Sequence, residues 1–204
     1  MEKQTIHFVT GNSGKFASLK AHTDAAGIIA IQTELPLIEP QADTIYEISR
    51  SKAEQAFAIL RKPLIVNDAG MHINALNGFP GPYIKYVLET LGIEKVRDLV
   101  APLQERRCRF VSVLTYMDEA DMKTFESTTE GQLAREIDRN PQPLYLWSDM
   151  ERLFIPEHAD KPLSAFTEED YKSWLEERKP LSGFAQLVAW LTEKRVRESP
   201  PLPV

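Results

Sequence analysis

Residues 5–15 read TIHFVTGNSGK, a β-branched and aromatic run that leads directly into a turn containing two glycines. This pattern predicts a short buried strand at residues 5–10 and a helix that continues through about His22. A strand that opens a helix in this way directs unpaired backbone N–H groups toward the edge of the sheet, which suits an anion. Lys15 adds a mobile positive charge. The spacing differs from that of the Walker motif, and a plain strand-to-helix connection is an equal alternative.

The rest of the chain continues this alternation of strand and helix. Further strands are predicted at residues 28–32, 63–66, 109–117 and 123–133. Further helices are predicted from Asp43 or Thr44 to Leu60 and at residues 83–91, 167–178 and 181–196. Such an order indicates an α/β fold, with a sheet flanked by helices. We expect residues 1–198 to form a single domain, followed by a proline-rich extended tail at residues 199–204.

Composition narrows the class of protein. A chain of 204 residues is long enough for one substantial domain. The net charge of -6 argues against a sequence-independent nucleic-acid binder. The single cysteine, Cys108, cannot form an intramolecular disulfide and lies in an alternating apolar run, so we expect a strand residue in a reducing compartment. Without a signal-peptide pattern or a membrane-length apolar run, a cytoplasmic protein with neither nucleic acid nor membrane as partner is expected.

A second candidate site follows the third predicted strand, where residues 66–70 read VNDAG. In an open α/β sheet, ligands lie beyond the carboxyl ends of the strands. An aspartate at that position, Asp68, can hold a divalent cation or take a proton from water. The alternative is that Asp68 only begins a turn.

A third segment, residues 74–85, reads NALNGFPGPYIK. A strand followed by Thr-Gly-Asn-x-x-Lys, then an acidic strand end, then Ala-Leu-x-Gly-x-Pro-Gly-Pro-Tyr-Ile-Lys, resembles the inosine triphosphate pyrophosphatase family in order and spacing. The resemblance covers residues 5–133, about two-thirds of the chain.

The resemblance implies an elongated, two-lobed α/β fold with a central mixed sheet and a substrate cleft between the lobes. It implies a homodimer that uses Mg²⁺, or Mn²⁺ in its place. The family hydrolyses the bond between the α- and β-phosphates of a nucleoside triphosphate, giving the monophosphate and pyrophosphate. It prefers deaminated purines such as inosine and xanthosine nucleotides.

The resemblance also implies roles for individual residues. Asp68 matches the carboxylate that positions or deprotonates the attacking water, and Lys15 joins it as a catalytic residue. Glu39 resembles the acidic position that shares the metal with Asp68. The residues of this region implied to bind substrate are Thr10, Gly11, Asn12, Lys15, Lys52 and Ala69. The family neighbour before the catalytic carboxylate is usually acidic, whereas this chain has Asn67, which lowers the negative charge of the site.

The last third of the chain departs from the family. The base-stacking segment Phe-Gly-Trp/Tyr-Asp-Pro has its nearest counterpart in residues 145–150, YLWSDM, where Trp147 is the candidate for base binding and a structural tryptophan is the alternative. The family's lysine and Ser-His-Arg become residues 179–184, KPLSGF. Lys179 and Ser182 are retained as candidates for base binding, while glycine and phenylalanine replace the histidine and arginine.

These departures predict altered or broadened base specificity, because donors that read a polar edge are lost. The phenylalanine, Phe184, could instead stack on a base. Two other functions stay open. One is a catalytically weak nucleotide-binding or regulatory protein that retains the fold, and the other is an enzyme of the same chemistry acting on a different phosphoanhydride.

Overall fold

The computed structural model describes residues 4–140 and 146–198. The strands are β1 (Thr5–Val9), β2 (Ile29–Thr33), β3 (Leu64–Ile73), β4 (Pro80–Gly81), β5 (Arg107–Met117), β6 (Met122–Leu133) and β7 (Phe154–Pro156). The helices are α1 (Ser13–Ala25), α2 (Ile45–Leu60), α3 (Ile84–Thr90), α4 (Gly92–Val100), α5 (Glu168–Arg178) and α6 (Gly183–Glu198). The predicted tail at residues 199–204 lies outside the described residues, and a single domain over residues 1–198 stays a prediction.

The strands form one mixed sheet within the described residues, in the order β2-β1-β3-β5-β6-β7, with β4 paired to β3. β1 runs parallel to both β2 and β3. The remaining pairs are antiparallel. The predicted α/β class with a mixed sheet flanked by helices is therefore confirmed.

Helices cover both faces of this sheet because side chains alternate along each strand. On one face, Phe8 of β1 packs against Phe184 of α6, with ring centroids 5.9 Å apart, and Leu19 of α1 joins the same buried cluster. On the other face, Val66 of β3 packs with Ala53 of α2. The helices α1 and α6 thus share one side of the sheet, and α2 covers the other.

The structure corrects two sequence-based expectations about β3 and its surroundings. The strand extends seven residues past Val66 because it pairs with β5 as far as Ile73, opposite Cys108. Asp68 accordingly lies within a strand, opposite Val113, and the interpretation of Asp68 as the start of a turn is wrong. The helix α4 was not predicted, and it follows α3 after a left-handed residue at Gly92.

Cys108 is buried in β5, which confirms the expected strand position. Burial raises the pKa of its thiol to about 12, which excludes a thiolate nucleophile at neutral pH. Within the described residues, no helix combines the length and the apolar character that crossing a membrane requires.

Candidate functional site

A cleft of about 1580 Å³ opens beyond the carboxyl end of β1 and beside the middle of β3, at residues 67–69. Its walls come from α1, α2, the loop before α2, and the segments on either side of α5. Every residue that the sequence singled out for the site lines this cleft: Thr10, Gly11, Asn12, Lys15, Glu39, Lys52, Asp68, Ala69, Trp147, Lys179 and Ser182. The cleft therefore brings the candidates together from both ends of the chain, while their roles stay predictions.

The turn between β1 and α1 is shaped by two side chains. The Asn12 carboxamide oxygen accepts the Lys15 backbone N–H at 2.9 Å, which caps the helix. The Thr10 hydroxyl accepts the Asn12 backbone N–H at 3.0 Å. Thr10 and Asn12 thus fix the turn, and the positive end of the α1 dipole lies at the cleft.

Lys15 reaches from this turn across the end of β3. Its ammonium lies 3.4 Å from the backbone carbonyl of Asn67 and 5.9 Å from the centroid of the Trp147 ring. Burial lowers the pKa of Lys15, while the nearby carboxylates of Asp68 and Glu39 oppose that shift. A lysine with so little water around it interacts strongly with an anion that enters the cleft.

A second lysine holds the two predicted metal ligands. The Lys52 ammonium donates to Asp68 Oδ1 at 2.5 Å and to Glu39 Oε1 at 3.3 Å. Burial alone would lower the pKa of Lys52, but attraction to Asp68 and Glu39 outweighs it and raises that pKa. Burial likewise raises the pKa of the Asp68 carboxyl, and the charges of Lys52 and Lys15 oppose the rise. One cationic group therefore already bridges Glu39 and Asp68.

The alternation along β3 separates Asp68 from its neighbour. Asp68 shares the α2 side of the strand with Val66, which places its carboxylate beside Lys52. The Asn67 side chain points the other way, and its amide group donates to the Ser112 hydroxyl at 2.8 Å. Asn67 thus contributes its backbone carbonyl to Lys15 and does not bond to the Asp68–Lys52 pair.

Glu39 and Asp68 fit a magnesium site in which substrate phosphates and water would supply the remaining ligands. Asp68 Oδ2 is buried and has no hydrogen-bond partner among the described residues. Those residues include no cluster of three or more histidine, cysteine or acidic side chains suited to a metal. Mg²⁺ is usually held by only one or two carboxylates together with substrate phosphates and several waters. Glu39 and Asp68, within reach of one ammonium, supply that pair.

Glu151 is a cleft residue that sequence reasoning missed. Its carboxylate accepts the Trp147 backbone N–H at 3.0 Å, and burial raises its pKa to about 8. Asp149, two residues before it, is exposed and lies 3.5 Å from the Arg152 guanidinium. The sequence carries one indication that Glu151 is buried, because the apolar residues Met150 and Leu153 flank it. The structure shows both of them fully buried.

The far end of the cleft is formed by residues 179–184, at the start of α6, where the sequence departs from the family pattern. Lys179 lines the cleft, half-exposed, and pairs with Glu176 at 3.2 Å. Phe184 is buried against Phe8 at the cleft wall, and stacking of its ring on a base stays a prediction. The Ser182 hydroxyl lies 2.8 Å from the Lys179 carbonyl and 3.2 Å from His22 Nε2.

Arg178 was also missed at this end. Its guanidinium donates to the Thr128 carbonyl at 2.7 Å and to the Thr129 hydroxyl at 2.9 Å. It also lies 5.5 Å from the centroid of the Trp174 ring. These three contacts fix the orientation of the Arg178 guanidinium on the cleft wall. Residue spacing in the sequence does not indicate that Arg178 lies there.

The chain matches the Ham1 family over residues 6–187. It is 32% identical over 189 residues to a dITP/XTP pyrophosphatase of Saccharolobus solfataricus, covering 93% of this chain and 96% of that protein. A dITP/XTP pyrophosphatase of Methanopyrus kandleri is 33% identical over 182 residues, covering 89% and 94%.

Among solved structures, a HAM1 protein from Coxiella burnetii matches with a TM-score of 0.74 and 21% identity, covering 93% of this chain and 99% of that one. The Ham1 protein of Staphylococcus aureus matches with a TM-score of 0.72 and 22% identity, covering 94% and 100%. These two likenesses show the fold. Together with the sequence matches, they confirm the resemblance to the inosine triphosphate pyrophosphatases: the chain belongs to the Ham1 family.

Proposed function

We propose that this protein hydrolyses the α–β phosphoanhydride of a nucleoside triphosphate, releasing the monophosphate and pyrophosphate. The observation that carries the proposal is the convergence of Lys15, Lys52, Asp68 and Glu39 beyond the end of β1 and beside the middle of β3. Two lysines and paired carboxylates are what a triphosphate and its cation require. The relatives named dITP/XTP pyrophosphatase support the same reaction.

The residues divide the work by charge. Lys15 and the start of α1 bind phosphate oxygens, and Lys52 turns from the carboxylates toward the triphosphate when substrate enters. Glu39 and Asp68 would hold Mg²⁺, or Mn²⁺, and the bound ion would neutralise charge on the phosphates. Asp68 orients a water molecule and takes its proton as the water oxygen bonds to the α-phosphorus. The bond from the α-phosphorus to the bridging oxygen breaks, and pyrophosphate leaves with the bonding electrons.

Base recognition is where we propose that this chain differs from the family pattern. Gly183 and Phe184 occupy the positions where the family pattern has histidine and arginine, and neither side chain carries a hydrogen-bond donor for a base in the cleft. We propose that the enzyme therefore accepts purine triphosphates more broadly than relatives that read a 6-keto group with histidine and arginine.

We also propose that the protein acts as a cytoplasmic homodimer. The segment that includes α3 exposes large apolar side chains that a second copy would cover, namely Phe79, Tyr83, Tyr86 and Leu91. The molar mass in solution, measured by light scattering, tests the dimer.

The substitution Asp68→Asn tests the proposed chemistry. It keeps the shape of the side chain and removes the base, so we expect kcat to fall by about 100-fold or more. Nucleotide binding, measured by calorimetry, should persist, because Lys15 and Lys52 remain. The assay is pyrophosphate release from nucleoside triphosphates with magnesium.

Asp24→Asn is the matched control, since Asp24 lies on the surface of α1 in an exposed pair with Lys20. It should leave turnover unchanged. Turnover by Asp68→Asn at the parental rate would show that Asp68 is not the base. Nucleotide binding without turnover by the parent protein would support a binding protein instead of an enzyme.

A further inference from the structure

One face of α1 lines the cleft from its phosphate end to its far end. Lys15, Ser18 and His22 all line it, at the i, i+3 and i+7 spacing that places residues on one side of a helix. At 1.5 Å per residue, His22 lies roughly 10 Å along the axis from Lys15. That length is comparable to the reach from the phosphates of a nucleotide to the far edge of its base. If Lys15 binds phosphate, as the proposed function requires, His22 lies where the base must be.

Hydrogen bonding fixes the proton on the His22 ring. His22 Nδ1 lies 2.7 Å from the backbone carbonyl of Ser18. A carbonyl can only accept, so Nδ1 carries the proton, and in the neutral ring Nε2 is an acceptor. Nε2 is directed toward the Ser182 hydroxyl, 3.2 Å away. The polar tip of His22 is thus directed to the cleft wall beside Ser182.

The Ser182 hydroxyl has one proton and two acceptors that compete for it. It lies 2.8 Å from the Lys179 carbonyl and 3.2 Å from His22 Nε2, while its oxygen accepts the Ala185 backbone N–H at 3.1 Å. Rotation of one hydroxyl therefore decides whether Nε2 is occupied or is available to a ligand. His22 and Ser182 together can offer an acceptor or a donor without moving the backbone.

The buried Phe184 explains why the His22 ring stays in place. The two rings pack with centroids 5.8 Å apart, and the same phenylalanine packs on Phe8 in the core. Phe184 thus supports the imidazole ring by packing against it. His22 is therefore held in one orientation by three contacts, namely the Ser18 carbonyl, the Ser182 hydroxyl and the Phe184 ring.

We propose that His22, with Ser182, contacts the base of the bound nucleotide and determines base specificity in this chain. Because the Ser182 proton can be rearranged, the pair accommodates both a 6-oxo and a 6-amino purine, which deepens the broad specificity of the proposed function. In this proposal His22 contacts only the base. Substitution of His22 should therefore leave the affinity for a ligand that has phosphates and no base unchanged.

The test compares a nucleotide with a base-free ligand in variants of His22. His22→Phe keeps the ring that packs on Phe184 and removes both nitrogens, whereas His22→Gln retains a polar group near the position of Nε2. We expect His22→Phe to weaken binding of inosine monophosphate, measured by calorimetry, by about 5- to 150-fold. His22→Gln should recover part of that loss. The Kd for inorganic tripolyphosphate should be unchanged in both variants.

His7→Phe is the matched control, because His7 of β1 bonds to the Thr33 hydroxyl of β2 and is not among the residues that line the cleft. It should change neither affinity. Equal weakening of tripolyphosphate and inosine monophosphate by His22→Phe would overturn the proposal, since it would mean that α1 had shifted. Unchanged binding of inosine monophosphate would overturn it as well. Turnover by the parent protein is measured separately. Absence of turnover by the parent would contradict the proposed function, whereas unchanged binding of inosine monophosphate by His22→Phe would contradict only the base contact.

Discussion

At the scale of single residues, the site is governed by charges that hold one another in place, with Asp68 and Lys52 largely buried and Glu39 half-exposed. Lys52 is shared by Glu39 and Asp68, so each carboxylate is partly neutralised before any cation or phosphate enters. Lys15 has no comparably short ion pair among the described residues and bonds instead to a backbone carbonyl. The two lysines therefore differ in what an entering anion meets. Lys15 can pair with an anion without breaking an ion pair, whereas Lys52 must first leave Glu39 and Asp68.

Glu151 gives this site a measurable pH signature. Burial raises its pKa from the ordinary 4.5 to about 8, so the folded protein keeps a proton that the unfolded chain releases. Its contribution to stability is therefore largest at low pH. It declines as pH rises from about 5 to about 8, by at most about 1.4 kcal/mol per pH unit, and is level above that range.

Glu151→Gln should remove this dependence, because the amide resembles the protonated acid and cannot ionise. We expect the free energy of unfolding of the variant, relative to the parent, to increase with pH across that window and then stay constant. Urea unfolding at intervals from about pH 5 to about pH 9 measures it. Glu54→Gln, on the exposed side of α2, is the control and should show no such trend. Parallel curves for Glu151→Gln and the parent would contradict the raised pKa.

Residue patterns predicted the phosphate end of the cleft far better than the base end. Thr10, Asn12 and Lys15 lie within one strand–turn–helix unit, so local spacing was enough to place them. Glu151 and Arg178 were missed because burial and distant acceptors, rather than sequence neighbours, define their surroundings. The contact between His22 and Ser182 joins residues 160 positions apart, a pairing that a single sequence does not show.

At the scale of elements, α2 does two tasks at once. Its apolar side, with Ala53 and Ala56, packs on the sheet, while its cleft side presents Lys52 to Asp68. The helix begins at a capping box, in which the Thr44 hydroxyl accepts the Glu47 backbone N–H at 3.2 Å and the Glu47 carboxylate accepts the Thr44 backbone N–H. The sequence predicted this helix, with Asp43 or Thr44 at its start, because the signals are local, and the structure places the cap at Thr44.

Thr44→Ala should destabilise the protein by about 1 kcal/mol, since it leaves the first turn of α2 without its side-chain acceptor. Urea unfolding at neutral pH gives the change in the free energy of unfolding. Thr192→Ala is the control, because Thr192 lies mid-helix in α6 and its hydroxyl bonds only within that helix, to the Val188 carbonyl at 2.8 Å. An equal loss in both variants would mean that the cap adds nothing beyond an ordinary surface threonine.

Long-range pairing accounts for what the element predictions left out. The strand β3 was predicted to stop at Val66, where the apolar run ends, yet its pairing with β5 continues to Ile73. That continuation carries Asp68 to the cleft on a paired strand rather than on a loop. Gly70 permits it, because a Cβ at that position would lie 2.3 Å from the Gly81 carbonyl oxygen of β4. Pairing of this kind depends on partners some forty residues away, which local patterns do not report.

At the scale of the whole molecule, the sheet divides the cleft into two chemical zones. The end of β1 and the middle of β3, with α1 and α2, form a charged zone suited to phosphates and a cation. The segments around α5 and the start of α6 form the opposite zone, with Arg178, Ser182 and aromatic side chains. The first zone retains the family pattern and the second does not, so under the proposed function the reaction type and the base preference depend on separate parts of the fold.

This separation leads to a prediction about substrate preference. Gly183 and Phe184 replace the histidine and arginine of the family pattern, so the cleft lacks the two donors that would read a 6-keto group, and the His22–Ser182 pair can meet either kind of purine edge. Each lost contact is worth roughly 1–3 kcal/mol, so we expect kcat/KM for inosine and xanthosine triphosphates to exceed that for adenosine triphosphate by less than about 100-fold. The comparison is made at one magnesium concentration, with guanosine triphosphate included. A larger preference would mean that the fixed donors of Arg178 read the keto group in place of the lost pair, and Arg178→Met would then abolish the preference while leaving tripolyphosphate binding intact.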